Sequence, residues 1–148
     1  MSAHVFSDPP MSVMARRLGH AGSAAFVLGA MLVWIVNDQA HPYVTLALSA
    51  YAAMVVSFLG GIHWGLGFQH HDPPASLFVW GVLASLFAWV AVMMPANAGL
   101  VLDGVLLVLC YLVDRKVYPA QGLARWLTLR FRLSAVAALS CFLGAAGT

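Results

Sequence analysis

The stretch YVTLALSAYAAMVVSFLGGIHWGLGF, residues 43–68, is the clearest structural signal in the chain, because it contains no Asp, Glu, Lys or Arg. A helix that crosses the hydrocarbon layer of a bilayer needs about 20 mainly apolar residues, and this run is longer than that. A membrane β-barrel would instead show alternating strands of about 10 residues, whereas this run is continuous. The stretch therefore predicts a transmembrane α-helix.

The composition extends this interpretation to the whole chain of 148 residues. Hydrophobic residues make up 62% of it and charged residues 8%, against roughly 25% charged residues in soluble domains. So few charges cannot cover a soluble surface, which excludes a soluble globular protein, a disordered tail and a nucleic-acid binder. We predict an all-α integral membrane protein that forms a five-helix transmembrane bundle. The expected spans are about residues 18–36, 43–68, 75–94, 98–118 and 131–147.

Two polar segments complete the predicted organisation. A tail of residues 1–17 precedes the first span, and an amphipathic basic segment of residues 119–132 precedes the fifth. Arg16 and Arg17 stand before a full-length apolar span, not before a short one with a cleavage site, so we expect the first span to remain in the mature protein.

The positive charges predict the orientation of the bundle. No Lys or Arg lies between Leu18 and Asp114, and with five spans the regions before and after this interval fall on one side. Positive loops stay on the cytoplasmic side, so we expect the N-terminus inside, the C-terminus outside, and a multi-pass protein of a bacterial inner membrane. The same cations could also attract anionic lipid head groups. The seven residues are Arg16, Arg17, Arg115, Lys116, Arg125, Arg130 and Arg132.

Small side chains recur at every fourth position of the second span. Residues four apart lie on nearly the same face of a helix, and small residues let two helices approach closely in lipid. We therefore expect this face to pack against the first span as an antiparallel hairpin. The five positions are Ser49, Ala53, Ser57, Gly61 and Gly65.

His63 is the main candidate functional residue, about five residues inside the cytoplasmic end of the second span. One interpretation is an imidazole hydrogen-bonded to another helix, with Trp64 as an interfacial anchor. A second is a proton relay or ligand contact, since ionisable groups within a membrane are often functional. A third is metal or haem ligation together with His20, although no metal site and no cofactor is predicted on this basis.

Three further charged residues are candidates near the fourth and fifth spans. Asp103 either lies within the hydrocarbon or reaches outer water. Asp114 ends the fourth span and is expected to form an interfacial ion pair, for which Arg130 is one partner. The chain has no Ser-His-Asp spacing, paired carboxylates, phosphate loop or HExxH motif, so we expect no enzymatic activity.

The string SFLGGIHWG, residues 57–65, resembles the central motif of a membrane-protein family that includes mitochondrial transmembrane protein 69. Ala25 departs from the proline expected in the opening motif, and Leu127 departs from the tyrosine expected in the closing one. The resemblance implies an integral protein of bacterial or mitochondrial inner membranes and brings no established activity. Looser matches are Leu18, Gly19, Gly22 and Phe26 at the start, and residues 126–130 with Leu133 and Ser134 at the end.

These observations favour a small non-enzymatic accessory or assembly subunit. Its expected partners are the lipid bilayer and either other membrane proteins or a second copy of the chain, with no nucleic acid. The alternatives are a small proton-coupled transporter or channel that uses His63, and a haem-binding membrane protein.

Overall fold

The computed structural model describes residues 12–148. Within this range the chain forms five long α-helices and one short 3₁₀ helix, and it contains no strand. All five long helices are long and apolar enough to cross a membrane, which confirms the predicted all-α fold with five spans. The elements are α1 (Val13–Ile35), α2 (His41–Phe68), α3 (Ala75–Met93), α4 (Ala96–Ala120), the 3₁₀ helix (Ala124–Trp126) and α5 (Leu127–Ala146).

The first helix begins before the expected apolar span. Ser12 is its N-cap, and the Ser12 hydroxyl accepts a hydrogen bond from the backbone N–H of Ala15 at 3.3 Å. Such a cap satisfies one of the unpaired N–H groups of the first turn, so the helix includes the polar residues Arg16 and Arg17. Residues 1–11 of the predicted tail lie outside the described residues.

The expected amphipathic segment, residues 119–132, is divided between two helices. Helix α4 continues through Pro119 and ends where Gly122 adopts a left-handed φ of 74°. The N–H of Leu123 donates to the carbonyl of Tyr118 at 2.8 Å, and the N–H of Gly122 donates to that of Pro119 at 3.2 Å. This pair of bonds is a Schellman motif. The sharp reversal lets α5 begin at Leu127, four residues before the expected span.

Helix α2 is the centre of the bundle, because it contacts each of the other four long helices. Its residues Leu48, Ala52 and Val56 are buried in one apolar core with Leu100 and Leu107 of α4. The outer surface is apolar as well. Large exposed side chains include Trp34, Met54, Phe58, Phe68 and Trp89, the surface expected of a helix bundle surrounded by lipid.

The tight glycine contact of α2 is made with α3. A Cβ atom at Gly60 would lie 2.8 Å from the Cβ of Ala84 and 3.0 Å from the carbonyl oxygen of Gly81. The two backbones therefore approach more closely than a side chain at Gly60 would allow. By contrast, α1 packs more extensively against α5 than against α2.

The structure differs from the expected packing of the small-residue face of α2. Ser49 and Ala53 are buried, but Gly61 and Gly65 are exposed, and no atom lies within 4 Å of a Cβ placed at either glycine. Each four-residue step advances about 400° around the helix, so the positions drift by about 40° per step. The face therefore begins in the core at Ser49 and ends on the outer surface, and it is not a continuous contact with α1.

Candidate functional site

A buried ionic cluster links three helices at the end of the bundle that carries the cations. Nε2 of His63 on α2 lies 2.7 Å from Oδ1 of Asp114 on α4. Arg130 on α5 donates to Oδ2 of the same carboxylate from Nε at 3.0 Å and from Nη2 at 2.7 Å. The exposed fractions are 1% for His63, 1% for Asp114 and 9% for Arg130. One carboxylate thus holds α2, α4 and α5 together.

Local structure explains how the three side chains meet. His63 lies on the same side of α2 as Gly60 and Gly67, the face that packs into the bundle. The reversal after α4 returns the chain immediately, which places Arg130 in the first turn of α5 beside the last two turns of α4. The expected partnership of Arg130 with Asp114 is present, but it is buried in the bundle and not exposed at the interface.

Charge and hydrogen bonding are complementary within the cluster. An ionised carboxylate can only accept hydrogen bonds, so Nε2 of His63 donates to Asp114. The arginine charge balances the aspartate charge, which offsets the large cost of removing both from water. Nδ1 of His63 is buried and has no hydrogen-bond partner within residues 12–148. In the neutral ring this atom is an acceptor, and it is the one position in the imidazole that could take up a further proton.

Aromatic rings surround the imidazole of His63. The ring centroids of Trp80 and Tyr118 each lie 6.5 Å from that of His63. The Tyr118 side chain also interacts with Arg130. Cys110, one helical turn from Asp114, is buried as a free thiol. These side chains pack around the His63 end of the cluster.

A second buried polar pair lies deeper along α4. The hydroxyl of Ser49 on α2 donates to Oδ2 of Asp103 at 3.3 Å, and Asp103 is 0% exposed. Of the two expectations for Asp103, the structure therefore places it inside the bundle and away from outer water. Asp103 is about 16 Å along α4 from Asp114, and the buried Leu107 lies between them. The two carboxylates do not share one site.

The remaining candidates lie outside the ionic cluster. The indole N–H of Trp64 donates to the carbonyl of Phe78 at 2.9 Å, so Trp64 joins α2 to α3. His20 is exposed on α1 whereas His63 is buried with Nε2 occupied by Asp114, and this pair forms no two-histidine pocket. Across residues 12–148, no group of three or more His, Cys, Asp or Glu side chains is placed to hold a metal ion.

The partners in two of these contacts have no signal in the sequence. The structure shows the expected hydrogen bond of His63 to another helix, but the sequence does not identify Asp114 as the partner. Ser49 belongs to the predicted helix-packing face, and nothing in its four-residue spacing indicates a bond to Asp103.

Five apolar helices that enclose buried ionic and polar pairs define a small polytopic α-helical membrane protein. The chain belongs to the family described as "Protein of unknown function (DUF3429)", whose sequence model matches residues 11–146. This confirms the family resemblance noted from the sequence.

A curated relative supports the same family assignment. The chain is 34% identical over 131 residues to transmembrane protein 69 of Xenopus tropicalis, and the alignment covers 83% of this chain and 50% of the relative. The chain therefore spans about half the length of that relative. No solved structure matches the chain.

Proposed function

We propose that this chain is a small non-enzymatic accessory or assembly subunit of a bacterial inner membrane, with its N-terminus inside and its C-terminus outside. We further propose that it binds a helix of another membrane protein along the outer face of α2, which we call the α2 outer face and define by Ser57, Gly61 and Gly65. The observation that carries this proposal is the open space above both glycines.

The physics of helix association in lipid supports this surface as a docking site. Lipid tails are as apolar as leucine, so helices associate through close van der Waals packing and interhelical hydrogen bonds. Two glycines one turn apart let a partner backbone approach, and the half-buried Ser57 offers a hydroxyl. A groove of about 440 Å³ between α2 and α3 adjoins Ser57 and includes Ser85 and Trp89.

Site-specific crosslinking in native membranes tests this proposal. A photoreactive residue at Gly61 should form a covalent adduct with a different membrane protein, identified by mass spectrometry. Gly65→Leu fills the open space and should abolish the adduct, whereas Ala24→Leu, on the exposed side of α1, should leave it unchanged. Adducts only with a second copy of the chain, or an adduct that survives Gly65→Leu, would contradict a hetero-oligomeric accessory role.

A second candidate function, proton-coupled transport, is favoured by the buried and unpartnered Nδ1 of His63. The packing of Leu107 between Asp114 and Asp103 argues against a continuous polar path from one side of the bundle to the other. Proteoliposomes with an imposed pH gradient decide between the two candidates. Transport is supported if the wild type carries a proton flux above that of empty liposomes and His63→Gln does not. A wild-type flux equal to that of empty liposomes would exclude transport.

A further inference from the structure

A cavity of about 490 Å³ lies between α1, α2 and α5, apart from the α2 outer face. Phe26 and Tyr51 close its inner end, with ring centroids 4.9 Å apart, and the Tyr51 hydroxyl donates to the carbonyl of Gly22 at 3.1 Å. Leu18 and Trp126 lie at its other end, toward the cations. Nearly all of its wall is apolar, so it suits a hydrocarbon chain.

Arg130 and Ser134 of α5 are polar residues in this largely apolar wall. The guanidinium of Arg130 is paired with Asp114, whereas Ser134 has no such partner among residues 12–148. It lines the cavity and is 5% exposed, and its hydroxyl has no hydrogen-bond partner within the described part of the chain. Leaving a buried donor unpaired is unfavourable in a medium of low dielectric constant. A ligand that places an acceptor oxygen beside this hydroxyl would therefore be stabilised by a hydrogen bond in a largely apolar cavity.

The packing of α1 against α5 shows how far the Ser134 hydroxyl lies from the start of the apolar part of α1. A Cβ at Gly19 would lie 3.0 Å from Leu133, and a Cβ at Gly147 would lie 2.9 Å from Val33. Both pairs have the same residue offset, so the two helices run parallel in a constant register. Ser134 is thus level with His20, about 3 Å inside Leu18, where the apolar part of α1 begins. We infer that this level, where the apolar span follows the cations, is the boundary of the hydrocarbon, at which phospholipid ester carbonyls lie.

The length of the apolar space and the nearby charges fit a lipid at this depth. From the level of His20 to Phe26 the α1 wall is about 9 Å long, so the cavity holds the first part of an acyl chain within one leaflet of about 15 Å. Arg16, Arg17 and Arg132 are exposed at the same end. Each basic residue near the surface strengthens binding to anionic lipid by about fivefold.

We propose that this cavity binds one anionic phospholipid from the leaflet on the cationic side. One acyl chain fills the apolar space as far as Phe26. Its ester carbonyl accepts a hydrogen bond from the hydroxyl of Ser134, and its phosphate lies near Arg16 and Arg17. The bound lipid thereby fills a gap in the contact of α1 with the rest of the bundle.

Native mass spectrometry of the purified full chain, titrated with phosphatidylglycerol or phosphatidylcholine, tests this proposal. The wild type should retain one phosphatidylglycerol in preference to phosphatidylcholine, and Arg16→Gln with Arg17→Gln should remove that preference. Ser134→Ala should weaken the binding of both lipids about two- to tenfold, the usual effect of one neutral hydrogen bond. Ser140→Ala, equally buried on the same helix but outside the cavity, is the control.

A second pair of variants tests the location of the acyl chain. Ser23→Leu extends into the cavity and should abolish the bound lipid, whereas Ala24→Leu on the lipid-facing side of α1 should not. Wild-type binding in both Ser134→Ala and Ser23→Leu would overturn the proposal. So would equal affinity for the two lipids, or the recovery of an isoprenoid quinone in place of a phospholipid. If Ser23→Leu does not fold, Ser134→Ala decides the question alone, because it removes a single oxygen atom.

Discussion

Replacing Asp114 with asparagine tests the ionic cluster most directly, because asparagine keeps the shape of the side chain and removes its charge. In the wild type, Arg130 makes two hydrogen bonds to this carboxylate and His63 makes one. After the change, the guanidinium of Arg130 stays charged in a side chain that is only 10% exposed. It then has no anion to balance it.

The expected loss follows from this uncompensated charge. Removing one partner of a buried ion pair typically costs about 3–5 kcal/mol of unfolding free energy. Replacing both Asp114 and Arg130 with leucine should cost less than the single asparagine variant. The double variant leaves no buried charge of the Asp114–Arg130 pair. It removes the partners of His63 Nε2 and of the Tyr118 side chain, and each unpaired group costs about 1–3 kcal/mol.

Unfolding by titration with sodium dodecyl sulfate in mixed micelles, followed by tryptophan fluorescence, measures these differences. Asp103→Asn is the matched control, since Asp103 is on the same helix, is equally buried and makes no ion pair within residues 12–148. Its unfolding free energy should change by no more than about 1 kcal/mol, the size of one neutral hydrogen bond. Equal losses in Asp114→Asn and Asp103→Asn would refute the idea that charge pairing stabilises the cluster.

Three further outcomes are expected. Gly60→Leu should lower the unfolding free energy by about 1–3 kcal/mol, because the new side chain would collide with Ala84. Gly61→Leu, which points into open space, should leave the unfolding free energy unchanged. The same micelle titration compares the two variants, and equal effects would contradict the α2–α3 contact. Tags at the two ends of the chain should be accessible from opposite sides of the membrane, with the N-terminal tag inside, and labelling of both from one side would contradict an odd number of spans. Cys110 and Cys141, both buried, should resist a maleimide reagent in the folded protein and react after denaturation, and rapid labelling of the folded protein would show that the core is more open than described.

The fold could be predicted from the sequence because each span carries its own signal. About 20 apolar residues are enough to specify a membrane-crossing helix, and this requirement does not depend on neighbouring helices. The helix ends were less predictable, since α5 begins at Leu127 through the reversal at Gly122. That reversal depends on backbone conformation and not on hydrophobicity.

The candidate site was only partly predictable, because its contacts depend on how helices are rotated against one another. Arg130 and Asp114 could be paired from opposite charge and similar depth. The bond of Asp114 to His63 required the rotation of α2, which the close contact at Gly60 fixes. The same rotation turns Gly61 outward. A sequence pattern shows which residues share a face, but it does not say which neighbour that face meets.

The parallel contact between α1 and α5 has a consequence for how the protein is made. The indole of Trp34 on α1 donates to the carbonyl of Leu143 on α5 at 3.1 Å. Helix α1 therefore meets its main partner only when α5 emerges from the ribosome, on the order of ten seconds later at ordinary rates of synthesis. During that interval α2 is the neighbour available to α1, through the contact of Tyr51 with Gly22 and Phe26. A nascent chain cut short before α5 leaves α1 without its larger contact.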